Sequence, residues 1–296
     1  MAYTEKQAYL ELHVAVFLWG FTAILGDWIS LNAVTLVWWR VLLTSLSLVG
    51  LAQVGRLYRD WGRKKVLTLA GIGLLIGLHW VCFYGSIKLA NASIALICMA
   101  TTSLFSSLLE PWIVNRPFVW LELVVGVFVL PGIYLIAGDL EGDMLFGVLV
   151  GLVSAFLAAL FSCLNKAHST ELNPQRVTFV ELGAASLFLP LFFPFQAEGT
   201  RLWPNAEDWI LLIILALFCT TLTFILSLRA LRKLSAFATN LTINLEPVYG
   251  IILAYYLLDD AQELDGRFYL GAGVILVGVF GYPVLRKVVF GVKGKE

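Results

Sequence analysis

Charge is scarce in this chain: 14% of its 296 residues are charged, against roughly 25% in a soluble domain. Apolar residues make up 60% and the mean hydropathy is +0.87, so a water-soluble globule is excluded and most of the surface must meet lipid. Histidine and cysteine are also few, at three and four residues. Cys82, Cys98, Cys163 and Cys219 all fall in apolar stretches without CxxC spacing, which predicts packing rather than metal or redox roles. No P-loop, HExxH, Ser–His pair or pair of facing aspartates is present, so neither ATP drive nor intramembrane catalysis is expected. The basic residues form short loop clusters that suit anionic lipid headgroups, and nucleic acid is not expected as a partner. Polar–apolar alternation is missing from stretches such as 210–218 and 271–280. In lipid that leaves helices rather than a β-barrel.

What is present is a series of runs near the roughly 20 residues a helix needs to cross a bilayer. They predict an all-α integral membrane protein with spans at Leu12–Ile29, Ala33–Gln53, Val66–Ile87, Ala92–Trp112 and Val119–Ala137. The second half gives Leu145–Lys166, Val177–Phe195, Trp209–Leu228, Ser235–Leu258 and Phe268–Leu285. Glu5, Lys6, Glu11 and His13 near the N-terminus do not read as a cleavable signal peptide, and the first span is expected to be retained.

Lys6, Arg56, Arg59, Arg63, Lys64, Lys65, Arg116, Lys166, Arg176, Arg229, Arg232, Lys233, Arg286, Lys287, Lys293 and Lys295 flank the spans on one face. The opposite loops carry Asp27, Asp139, Glu141, Asp143, Glu198, Glu207, Asp208, Asp259, Asp260, Glu263 and Asp265. Only Lys88, Arg201 and Arg267 break the segregation, with Arg40 inside a span. Because Lys and Arg collect on the cytoplasmic side, both termini are expected in the cytoplasm of a cell-membrane protein.

Ten spans divide into two groups of five. Five is odd, so residues 139–296 must enter the membrane in the opposite sense to residues 1–138. Two local registers relate the halves. One aligns Lys88-Leu89 with Lys233-Leu234 and sets Trp38-Trp39-Arg40 near Val180-Glu181-Leu182; the other aligns Leu109-Glu110-Pro111 with Leu245-Glu246-Pro247. Gly73-x-x-x-Gly77, Gly147-x-x-x-Gly151 and the glycines 271, 273, 278 and 281 of span ten are expected at close helix contacts. An inverted repeat predicts a binding site near the membrane midplane between halves that rock.

Several short motifs carry a family resemblance. They are Phe17-Leu18-Trp19-Gly20 in span one, Arg40 in span two, Tyr84-Gly85-Ser86-Ile87-Lys88-Leu89 into span four and Leu245-Glu246-Pro247-Val248-Tyr249-Gly250 in span nine. Together with the ten-span pattern they resemble the EamA-type members of the drug/metabolite transporter superfamily. The resemblance implies two five-helix repeats, export or exchange of small metabolites, and a central cavity lined chiefly by spans one to four and six to nine. Pro111, rather than a residue near Thr102 or Ser103, is the proline of span four, and Asp259-Asp260 stands where the family often has an acidic residue.

Charge inside a span costs several kcal/mol unless it faces a cavity or a partner. Arg40 is therefore a candidate anchor for a carboxylate, or a structural partner of Glu181 or Glu246. Glu246, near the middle of span nine before Pro247, is a candidate proton carrier or contact for a substrate amine, or a helix tie to Arg40 or Asn244. Glu181 and Glu110 are expected as gate or ion-pair residues. His79 and Trp80, with Phe83 and Tyr84 a turn later, offer an aromatic wall and a group that titrates near neutrality. Trp19, Trp38, Trp39, Thr239, Asn240, Thr242, Asn244 and Asn165 are further cavity candidates, while Trp28, Trp203 and Trp209 suit the interface.

These observations predict a secondary, alternating-access transporter, an exporter of small metabolites such as amino acids. A channel or scramblase-like permease is the alternative and an intramembrane enzyme a more distant one. No cofactor is called for. The expected partners are the metabolite and the bilayer, and proton coupling through Glu246 or His79 and a homodimer are both compatible with the pattern.

Overall fold

The computed structural model describes residues 3–90, 92–137, 145–197, 199–257 and 266–290. Asp139, Glu141, Asp143, Glu198, Asp259, Asp260, Glu263, Asp265, Lys293 and Lys295 lie outside the described residues, as does the 138/139 boundary between the halves.

Among the described residues the chain is helical without strands. The first half contains α1 (Glu5–Trp28), α2 (Ala33–Ala52), α3 (Leu57–Leu89), α4 (Ala92–Ile113), α5 (Trp120–Phe128) and α6 (Leu130–Ala137). The second contains α7 (Leu145–His168), α8 (Pro174–Phe188), α9 (Ala206–Ala216), α10 (Thr223–Ala230), α11 (Ala236–Ile243), α12 (Glu246–Leu257) and α13 (Gly266–Phe290). Eight helices among the described residues are long and apolar enough to cross a bilayer. The expected fifth and ninth spans are each broken, at Val129 between α5 and α6 and at Asn244-Leu245 between α11 and α12.

Polar residues set where helices begin. Asn32 accepts from the Thr35 amide, Asn173 from the Gln175 and Arg176 amides with Pro174 leading the helix, and Ser235 from the Ala238 amide. Each satisfies amides that a helix start leaves without internal partners. Gly62, at φ 72°, bends α3 between its exposed first turn and its membrane run.

The two halves pack with a pseudo-two-fold relation. Span three packs on span six (α3 on α7), as span eight packs on span one (α10 on α1). Span four meets span six (α4 on α7), as span nine meets span one (α12 on α1). Spans two and seven (α2, α8), four and nine (α4, α11) and five and ten (α6, α13) pair across the relation itself. This is a ten-span membrane protein built as two inverted five-helix repeats.

Glycines bring these helices close. A Cβ built on Gly73 would lie 1.9 Å from the Glu181 carbonyl oxygen, and one on Gly77 would lie 3.3 Å from Ala185 Cβ. Gly151 faces Cys98 and Ser86, and Gly147 faces Ala90. In span ten Gly278 meets Val129, whereas Gly273 and Gly281 have open space. Because backbone cannot yield at Gly73, Gly73→Ala is expected to force α3 and α8 apart and cost about 3 kcal/mol or more. Gly71→Ala, with nothing within 4 Å, serves as control. Thermal melting in detergent should separate the two variants by several degrees; coincident melting curves would rule out the clash.

Candidate functional site

Between the halves lies a cavity with about 810 Å³ of empty space, its mouth included. It runs from Trp19, Arg40 and Glu246 to Asn165, Leu231 and Thr239, near the terminus-side ends of α7, α10 and α11. Apolar rings dominate its wall, where His79, Trp80 and Phe83 of α3 face Phe161 of α7 and Phe224 of α10. Trp80 meets Phe224 edge-on at 5.3 Å, and the His79 and Phe161 rings lie 5.5 Å apart.

Arg40 is 2% exposed and holds only neutral partners. Its Nε donates to Thr220 Oγ1 at 2.7 Å, Nη1 to Tyr84 OH at 3.1 Å and Nη2 to the Cys219 carbonyl at 3.3 Å. The guanidinium carbon lies 4.1 Å from the centre of the Trp80 ring, within cation–π range. The acceptors on span eight are available because residues Leu217–Leu222, between α9 and α10, form a π-helical turn. There Thr220 Oγ1 donates back to the Leu215 carbonyl at 2.7 Å. Such turns often mark functional positions. A guanidinium has five donors; three are used, which leaves one N–H on Nη1 and one on Nη2. Two free N–H groups, one on each terminal nitrogen, are enough to donate to the two oxygens of a carboxylate.

Glu246 opens α12 at the break in span nine and is partly buried. The first turn of a helix favours negative charge, so the break supplies part of what a carboxylate needs at this depth. Its protein partner is Thr22, whose hydroxyl lies 3.4 Å from Oε1 but 2.6 Å from the Trp19 carbonyl. A single hydroxyl hydrogen serves the nearer acceptor, so the Glu246 carboxylate is only weakly satisfied by the protein. Among the described residues it makes no ion pair with Arg40 or any other cation.

His79 is anchored through Nδ1, which donates to the Ser154 carbonyl at 2.9 Å, while Ser154 Oγ donates to the His79 carbonyl at 2.9 Å. That leaves Nε2 as the ring nitrogen without one of these ties.

The expected residues divide in space. Trp19, Arg40, His79, Trp80 and Glu246 line the cavity, together with Asn165, Thr239 and Asn240. Tyr84 stands behind Arg40 as a support. Asn244 donates to Ser103 Oγ at 3.2 Å and Asn240 to Ser106 Oγ at 2.6 Å, so both tie α11 to α4. Glu110 lies away from the cavity, where its oxygens accept from the Ala236 and Phe237 amides at 2.9 and 2.8 Å and pair with Arg116 at 2.9 Å. Glu181 is fully buried on α8. Trp38 and Trp39 point away, donating to the Ser186 and Leu202 carbonyls. Thr22, Thr102, Phe161, Ser162 and Phe224 line the cavity without having been singled out from the sequence. As neutral residues in apolar runs, they carry no signal along the chain.

Fold and cavity together define a multi-pass membrane protein with a polar centre enclosed between inverted halves. The EamA-like transporter family model matches residues 7–138 and again 145–282, and the chain belongs to that family. It is similar to the "Uncharacterized transporter YxxF" of Bacillus subtilis, at 23% identity over 257 residues, 84% of this chain and 81% of that one. An "Uncharacterized transporter" of Archaeoglobus fulgidus is 25% identical over 224 residues, 75% of this chain and 77% of that one. A crystal structure with TM-score 0.73 and 16% identity, covering 97% of this chain and all of the other, shares the fold.

Proposed function

We propose that the protein is a secondary, alternating-access exporter of small zwitterionic metabolites of the amino-acid class. One observation carries the reading: a guanidinium and a carboxylate line one cavity without pairing with each other, between aromatic walls. The two free N–H groups of Arg40 receive the substrate carboxylate and Glu246 receives its ammonium group. Trp80, Phe83, Phe161 and Phe224 cover the apolar side chain. With no P-loop in the sequence, the drive comes from an ion or substrate gradient, and the proton is the coupling ion. The repeats 1–138 and 139–296 act as the two rocking bodies, in the cell membrane with both termini cytoplasmic.

The test is counterflow of labelled amino acids in proteoliposomes. Saturable, competed exchange is the expected result; flux that never saturates would indicate a channel, and no flux with or without a pH gradient would sink the reading.

Glu246→Gln is expected to weaken amino-acid binding about 10- to 100-fold, by removing one charge-assisted contact. It should leave the affinity for the N-acetylated amino acid, which has no ammonium, within about threefold. Equal losses for both ligands by calorimetry would show that Glu246 does not read the amine.

A further inference from the structure

A carboxylate outside the cavity has no protein partner for its charge. Glu181 is fully buried on α8, against the α3 backbone at Gly73. Its Oε2 receives one long hydrogen bond, from Asn165 Nδ2 at 3.5 Å, and its Oε1 has none. Two more orphaned oxygens belong to its surroundings. They are Asn165 Oδ1 and the hydroxyl of Thr178, which lies three residues earlier on the same face of α8. Asn165 and Thr178 are 2% and 0% exposed.

On the elements around α8, Arg63, Lys64 and Lys88 of α3 are exposed, and the following charged and titratable groups are committed elsewhere. On α2, Arg40 is held by Thr220, Tyr84 and Cys219. On α3, His79 is held by Ser154 and Lys65 by the His168 carbonyl, while Asp60 pairs with Arg59 and with Arg176 of α8 itself. Lys166 of α7 donates to the Leu231 carbonyl, and Arg229 of α10 pairs with Glu11. Among the described residues none of these, nor Cys163 or Cys219, makes a hydrogen bond or ion pair with Glu181.

Ionised, Glu181 would be an uncompensated charge in a dry interior, the costliest arrangement a protein can hold. Carrying one hydrogen, the carboxyl loses its charge and gains a donor, and Asn165 Oδ1, on the amide that already touches Oε2, is an acceptor that lacks one. A single proton therefore removes the charge and supplies a donor for that amide oxygen. Asn165 also lines the cavity, which gives that proton a way out.

The repeat adds a second observation. Arg40 and Glu181 each stand seven residues beyond the first residue of α2 and α8, Ala33 and Pro174. Those two helices pair across the pseudo-two-fold relation.

We propose that Glu181, beside Asn165, is the proton site of this transporter, the inverted-repeat counterpart of the Arg40 anchor. Resting on the exporter reading above, it separates the coupling proton from the substrate: Arg40 and Glu246 bind the metabolite, and Glu181 releases its proton to cavity water at the Asn165 side when the halves rock. Coupling through Glu246 or His79 is then unnecessary.

In proteoliposomes, Glu181→Gln is expected to retain amino-acid counterflow within about threefold of wild type. Accumulation driven by a pH gradient should fall at least tenfold, and Glu181→Asp should restore part of it. His79→Gln should keep the wild-type ratio of gradient-driven accumulation to counterflow, whatever it does to either rate. Undiminished accumulation by Glu181→Gln, or loss of coupling in His79→Gln alone, would overturn the assignment. Infrared difference spectra during a pH titration supply a check that needs neither transport nor the Gln variant. A protonated-carboxyl band in wild type that shifts in Glu181→Asp supports the site, and a band that stays put refutes it. Absence of amino-acid flux in wild type would sink the exporter reading while leaving the infrared result to decide the proton site.

Discussion

Replacing Arg40 by Lys is expected to weaken amino-acid binding at least 100-fold, which is about 2.7 kcal/mol of lost recognition. The charge survives this substitution but the fork does not. Arg40 reaches Thr220, Tyr84 and Cys219 with one donor on each nitrogen, and it is these three bonds that aim its two remaining N–H groups. An ammonium has three donors and no plane. It could meet some of the same acceptors or meet the substrate, but not both in bidentate geometry. Stacking on the Trp80 ring at 4.1 Å would be lost as well.

Stability alone could lower binding, so the decisive quantity is discrimination. Wild type should prefer an amino acid to its methyl ester by about 30-fold or more, because the ester offers no anion to the guanidinium. Arg40→Lys should narrow that preference to about threefold. If it instead bound both ligands less well by one common factor, Arg40 would be only a brace between α2, α3 and the π-helical turn. Calorimetry or thermal-shift titration on purified protein measures both affinities, since a ligand that binds the folded state stabilises it by an amount that grows with the logarithm of one plus the ratio of ligand concentration to Kd.

How much of this could be read along the chain depends on the kind of signal. Spans and their pairing into halves follow from run length and from the side on which Lys and Arg collect, both one-dimensional quantities. The break at Asn244-Leu245 and the π-helical turn at Leu217–Leu222 leave no such mark. Each is a local departure of the backbone that surrounding helices stabilise, and Thr220 is an ordinary threonine until the turn brings it to Arg40. Arg40, His79 and Glu246 stood out because a titratable group in an apolar run must face something other than lipid. Tyr84 and Asn244 were harder to place, since side chains rotate about 100° per residue round a helix and these spans are apolar on nearly every side. Tyr84 stands behind Arg40, and Asn244 is tied to α4. Asn165 shows the same limit: its importance rests on its contact with Glu181 and on an unmet hydrogen bond, which exist only in three dimensions.

Glu110→Ala is expected to be the most destabilising single change outside the cavity, by about 3–5 kcal/mol. Three physical terms converge on this carboxylate. Its oxygens accept from the Ala236 and Phe237 amides at 2.9 and 2.8 Å, so it caps the positive end of α11 from another helix. It pairs with Arg116, which also bonds Glu122, and Glu122 in turn accepts from Tyr282 OH at 2.9 Å. Glu110 and Glu122 are 0% and 2% exposed, so each depends on Arg116 for compensation; for Arg116 the cost of burial is outweighed by the two carboxylates, which hold its pKa above the ordinary value. Removing Glu110 leaves two amides without an acceptor inside the membrane and loosens the link between α4, α5, α11 and α13. Glu110→Gln keeps an acceptor for one amide but none of the charge, and should cost about half as much. Arg116→Ala strands two carboxylates at once and should match Glu110→Ala. In detergent the apparent Tm of the Ala variants should fall by roughly 10 °C. Because the network stands apart from the cavity lining, protein that remains folded below that temperature should bind amino acids with near wild-type affinity. A Tm within two degrees of wild type for Glu110→Ala would mean that water reaches the α11 end and replaces the carboxylate, and the capping account would fail.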